Sequence, residues 1–168
     1  MTAAPTLTVV DQGTRLTFAF EDLMRHHGPH SPGGVAHAFK VMELVLALLT
    51  PGGPPERREI GVRTAFGGPG ARDGFELVTR AVSGERYVVD PGLARPELGP
   101  TRERFVFELA HRDTVVTVAV REGFVTDAFI ALVRKERSPA EEEQLTVMKA
   151  EMAERVMASP ADAVYAIL

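Results

Sequence analysis

Three histidines, His26, His27 and His30, stand together just ahead of a helix-start signal. Imidazole changes charge close to neutral pH and is the commonest neutral metal ligand, so this knot has the chemistry to bind a metal or transfer protons. Ser31 suits an N-cap, and Pro32 suits the first helical position, where no N–H is needed. The free N–H groups and positive dipole end of that helix favour an anion, and they favour neutral over protonated imidazoles. The alternative is a set of turn residues bonded to water or backbone, with Ser31 explained by capping alone and not acting as a nucleophile. Asp73 and Glu76 form a second candidate group at i, i+3 spacing near another expected helix start. Two carboxylates so placed either work as an acid–base pair or compensate the dipole, and they face the histidines only if the two segments pack together.

The elements that must position these groups follow from periodicity. From Val35 onward, Val35, Ala38, Met42, Val45 and Leu49 make one apolar stripe and Val41, Leu44 and Leu48 a second, which predicts a central core helix. Before it, Leu7 to Val10 and Leu16 to Phe20, parted by Asp11-Gln12-Gly13, read as a small hairpin or an edge ribbon, and Glu21 to His27 as a helical turn. Behind it, TPGGPPERRE is a loop and Glu59 to Ala65 a strand. The turn Gly67-Gly68-Pro69-Gly70 then leads into a helix from about Arg72 to Val82. That strand, turn and helix could cradle a phosphate, but neither a Walker loop nor a GxGxxG order is present, and a tight turn against the central helix is the alternative. Arg86 to Val89 reads as a short strand. Arg104 to Ala110 and Thr114 to Arg121 read as a hairpin, and Phe124 to Lys135 as a helix. Ser138-Pro139-Ala140-Glu141 opens a last long helix with a capping box, placing Leu145, Met148, Met152 and Val156 on one face. The apolar tail Val164 to Leu168 must dock somewhere.

A chain of 168 residues, 45% hydrophobic, suffices for one domain with a sizeable core. A net charge of -4 with mixed signs supplies no basic stripe, which argues against nucleic acid or an anionic membrane surface as partner. The sequence has no cysteine, so disulfides, thiolate metal sites and cysteine nucleophiles are excluded, and a reducing cytoplasm is the expected location. No signal peptide is expected from MTAAPTLTVVDQ, and the apolar run from Val41 to Leu49 is too short to cross a bilayer.

Two segments resemble the FmdE family, also known as FwdE, of formylmethanofuran dehydrogenase components. His27-Gly28-Pro29-His30-Ser31-Pro32-Gly33 lines up without a gap with a family motif close to HGHxCPG. The stretch from Asp73 to Tyr87, DGFELVTRAVSGERY, is similar to a second motif near DAIQxxTGCTxGKGN. The resemblance implies an α+β domain, with helices packed on a mostly antiparallel mixed sheet as in part of glyceraldehyde-3-phosphate dehydrogenase, and a helical C-terminal segment. It also implies a homodimer, for which the Met-rich late helix and apolar tail offer surface. In the family pattern two cysteines join the histidines as potential metal ligands; here Ser31 and Ala81 stand at those positions. With no cysteine in the chain, no cysteine-rich zinc-binding tail is expected either. His27 is the carried-over candidate ligand, His26, His30 and His37 are local additions, and Asp73 and Glu76 are carried-over polar positions.

Three functions follow as expectations. The first is a ligand-binding domain in which His27 and His30, with Asp73 or Glu76, hold a divalent metal such as zinc or nickel or a small anionic ligand, in an accessory role. The second is a homodimeric scaffold or partner of another enzyme, without a site. The third is a metal-assisted enzyme with a histidine–carboxylate centre.

Overall fold

The structure, a computed structural model, describes residues 3–168. The chain opens with an antiparallel hairpin of β1 (Thr6–Asp11) and β2 (Thr14–Ala19), and α1 (Phe20–His27) follows directly. Asp22 accepts the Ala19 N–H at the start of α1, and Gly28, at φ 88°, ends it where a side chain would be strained. The central helix α2 (Pro32–Leu49) comes next, then β3 (Ile60–Thr64), α3 (Pro69–Thr79) and β4 (Tyr87–Val89). The second half holds β5 (Val106–His111), β6 (Thr114–Val120), α4 (Asp127–Val133), α5 (Pro139–Met157), α6 (Ala161–Val164) and β7 (Tyr165–Ile167).

Five strands form one mixed sheet in the order β4-β3-β5-β6-β7, parallel only between β3 and β4. This is the α+β architecture with a mostly antiparallel sheet that the sequence implies. Alternation sets the faces: Ile60 lies opposite His111, Val62 opposite Leu109 and Phe107 opposite Val118, and these positions point into the core. Against them lies α2, with Val35, Phe39, Val41, Met42 and Val45 fully buried. By length and composition α2 could cross a membrane, but 67% of it is buried inside the fold, where α1, α3 and α5 pack on it.

The long late helix is α5, and its Ser138 hydroxyl and Glu141 carboxylate make the expected capping box. Met152 is 2% exposed and sits against Gly33, so this methionine fills the core. The apolar tail docks as β7, pairing Tyr165 with Val120 and Ile167 with Val118. Two helices have bounds other than those expected. The α3 helix starts at Pro69 and ends at Thr79, because Arg80 turns left-handed at φ 57°, and α4 is shorter than the stretch from Phe124 to Lys135 because Thr126 caps it.

Glycines set the approach of α2 and α3. A Cβ on Gly70 would collide with the Ser31 carbonyl, one on Gly34 would lie 2.9 Å from the Ala71 nitrogen, and Gly74 faces Ala38. Gly70→Ala is therefore expected to destabilise the fold by about 2 kcal/mol, since backbone stands where the methyl must go. Gly53→Ala, with open space around it, serves as the control in urea denaturation. Equal midpoints for both variants would show that the two helix starts are not in contact.

Candidate functional site

The C-terminus of α1 delivers His27 between the starts of the two central helices. Its Nε2 accepts the Ser31 N–H at 3.1 Å, so that nitrogen is bare, Nδ1 carries the proton, and Nδ1 donates to Asp73 Oδ2 at 2.7 Å. The ring is 4% exposed. Segments of the two motifs behind the family resemblance thus meet through one hydrogen bond. Both nitrogens are engaged, and His27 acts as a neutral clamp joining α1, α2 and α3.

The remaining candidates separate. His26 and His30 are exposed, and among the described residues neither has a hydrogen-bond or ion-pair partner. Asp73 faces His27 and also an Arg72 guanidinium nitrogen at 3.6 Å. Glu76 turns to the other end of α3, where it accepts from the Ser83 N–H at 3.0 Å and the Ser83 hydroxyl at 2.6 Å. Burial opposes ionisation of Glu76, but the Ser83 bonds and Arg80 outweigh it and hold the carboxyl below its ordinary value. Asp73 and Glu76 therefore do not form an acid–base pair. Near Asp73 the buried Tyr87 hydroxyl has no hydrogen-bond partner among the described residues; burial pushes its pKa up to about 12, Arg72 opposes and Asp73 adds.

A zinc or nickel ion needs more than this. Among the described residues no three His, Asp or Glu side chains gather closely enough to hold a metal ion. Using His27 would break its bond to Ser31, and Ser31 and Ala81 offer a hydroxyl and a methyl where the family pattern has thiolates. The donor set does not fit the metal.

Ser31 borders a different feature. Its hydroxyl makes no cap bond to α2, contrary to the N-cap reading, because the residue sits at φ -136° and ψ 66° with its N–H turned to His27. Together with Gly33, Gly34 and the turn Phe66 to Gly70, it lines a cavity of about 370 Å³. Phe105, stacked on Phe66 at 4.4 Å, and Phe129, Ile130, Val133, Leu145 and Met152 add apolar lining. Arg104, Arg134, Arg137 and Lys149 complete the lining, and no Asp or Glu is part of it. Neither α2 nor α3 has a side-chain cap, so the second and third N–H groups of each, on Gly33, Gly34, Gly70 and Ala71, lack intrahelical acceptors. The glycine-rich turn thus serves close packing and also borders the cavity.

The four cations are not equivalent. Arg134 donates to Glu103 at 3.1 Å, and Arg137 to Glu142 at 2.9 Å and to carbonyls at the end of α4. Arg104 and Lys149 have no hydrogen-bond or ion-pair partner among the described residues. Sequence reasoning passed over both. A signal existed for Lys149, which falls at i+4 from Leu145 and i-3 from Met152, on the buried stripe of α5. Nothing local marked Arg104, an exposed residue two positions ahead of β5 that borders the cavity. The sequence matches no model of a known protein family and no curated protein.

Proposed function

We propose that the chain is a small-molecule-binding domain whose ligand is an amphipathic anion seated in the cavity between the starts of α2 and α3 and the helices α4 and α5. The observation that carries this reading is the lining: an apolar wall with four cations, two of them unpartnered, and no carboxylate. An apolar body of ligand buries against Phe66, Phe105 and Phe129, while its carboxylate or phosphate meets Arg104 and Lys149. The volume falls within the ordinary range for small-ligand pockets of roughly 300 to 1,000 Å³. The FmdE-like resemblance is compatible with this placement, since Ser31, at a cysteine position of the first motif, lies on the cavity wall. In this reading the histidine knot supports the site, with His27 holding the Ser31 backbone in place.

Calorimetric titration with phenylpropanoate, compared with the neutral phenylpropanol, tests the proposal. Arg104→Gln is expected to weaken phenylpropanoate about tenfold, the loss of one charge-assisted contact, and to leave phenylpropanol unchanged. Equal affinity of wild-type protein for acid and alcohol, or no binding of either, overturns the reading.

A further inference from the structure

The chain has three lysines, Lys40, Lys135 and Lys149. Lys40 is buried and bonded to Glu43 at 2.8 Å, and Lys135 is paired with Glu141. Among the described residues Lys149 is the lysine without a carboxylate partner, and it is the lysine that lines the cavity. Resting on the anion-binding reading above, we propose that Lys149 is a nucleophilic amine that captures the carbonyl group of an oxo acid with an apolar body as an imine.

The surroundings favour the neutral amine that such a reaction needs. Leu145 and Met152 flank Lys149 on its own helix, and Phe129, Arg104, Arg134 and Arg137 share the cavity lining. The positive ends of α2 and α3 meet at the same place. Burial and then Arg137 lower the Lys149 pKa, and Glu142, already engaged by Arg137, opposes them only in part. An amine desolvated beside other cations is the usual form of an activated lysine nucleophile. Arginine stays charged under all these conditions, so Arg104 holds the carboxylate, while at Lys149 burial and Arg137 favour the amine over the ammonium form.

The step balances without a further reagent. The Nζ lone pair of the amine adds to the carbonyl carbon and one of its two N–H protons passes to the carbonyl oxygen, giving a carbinolamine; the second N–H proton then leaves with that hydroxyl as water as the carbon–nitrogen double bond forms. No electron transfer occurs, and hydrolysis reverses the reaction.

Incubation of the full chain with phenylpyruvate and sodium cyanoborohydride, followed by peptide mass spectrometry, reads the adduct directly. The expected result is about one reduced adduct per chain on Lys149, suppressed by excess phenylpropanoate and absent in Lys149→Arg. Labelling spread evenly over Lys135 and Lys149, or no adduct while phenylpropanoate still binds, overturns the imine and leaves the binding site standing. Failure of phenylpropanoate to bind removes the site itself.

Discussion

Arg57→Met is expected to lower the stability of the folded chain by about 3 kcal/mol at neutral pH. Arg57 is 8% exposed and lies just ahead of β3. Its Nε donates to the Val78 carbonyl at 3.1 Å and its Nη2 to the Leu77 carbonyl at 2.6 Å, while Nη1 reaches Asp11 at 3.4 Å. These carbonyls belong to the last turn of α3, where no intrahelical N–H is left to reach them. Arg86 completes the set by donating to the carbonyls of Thr79 and Arg80 at the same helix end and to those of Arg57 and Ile60. Two guanidinium groups therefore stand at the negative end of α3. Methionine restores the apolar stem of Arg57 but leaves two buried carbonyls without donors, which costs on the order of 1–3 kcal/mol for each such group. Lysine restores the charge but lacks the planar fork, so Arg57→Lys should recover less than half of the loss. The control is Arg58→Met: Arg58 is largely exposed and pairs only with Asp11, so its loss should stay within about 0.5 kcal/mol. Urea denaturation of the three variants decides the matter, and equal midpoints for Arg57→Met and Arg58→Met would contradict it.

Periodicity made the elements legible, while long-range polar contacts lay beyond it. The stripes of α2, the alternation in β5 and β6 and the capping box of α5 are local patterns, and each produced the element it predicted. The boundaries of α3 depended on the left-handed turn at Arg80 and on arginines far away in sequence, which no local window registers. His27 meets Asp73 across 46 residues, as the motif pairing required if the segments packed together. Glu76 shares a helix with Asp73 but engages Ser83, because i, i+3 spacing fixes a helical face without fixing which end of the helix a long side chain follows. The cavity is the least legible feature of all: it draws on residues between Ser31 and Met152, and its two unpartnered cations become conspicuous only when every other lysine and most arginines are found paired.

The acid sensitivity of the fold should trace largely to His37, which the sequence places on the largely apolar central helix. His37 is fully buried in α2, its ring packed against Phe105 at 4.8 Å and Tyr165 at 5.8 Å, with Nδ1 bonded to the Tyr165 hydroxyl at 2.7 Å. Its Nε2 has no hydrogen-bond partner among the described residues. Burial, and after it the Arg155 guanidinium, lower the pKa from 6.5 to about 3, so the ring is neutral in the folded chain and protonates readily once unfolded. The unfolded state then binds the extra proton below about pH 6.5, and stability falls with falling pH until the folded ring also titrates near 3. Above pH 6.5 the group contributes no pH dependence. At about pH 4.5 the difference amounts to roughly 3 kcal/mol, taking about 1.4 kcal/mol for each pH unit in the window. Burial also holds the Tyr165 phenol well above its ordinary value, so the partner does not ionise anywhere near this range. His37→Gln keeps a hydrogen bond to Tyr165 within reach and cannot be protonated. Its stability at neutral pH should drop modestly through lost ring packing, while the difference between pH 7.5 and pH 4.5 should shrink by about 3 kcal/mol relative to the wild type. Both proteins retain the carboxylate ion pairs, Arg63 with Asp90 among them, so the comparison isolates the imidazole. Urea midpoints at the two pH values supply the measurement, and an unchanged acid slope in the variant would mean that the buried imidazole is not what protonation disrupts.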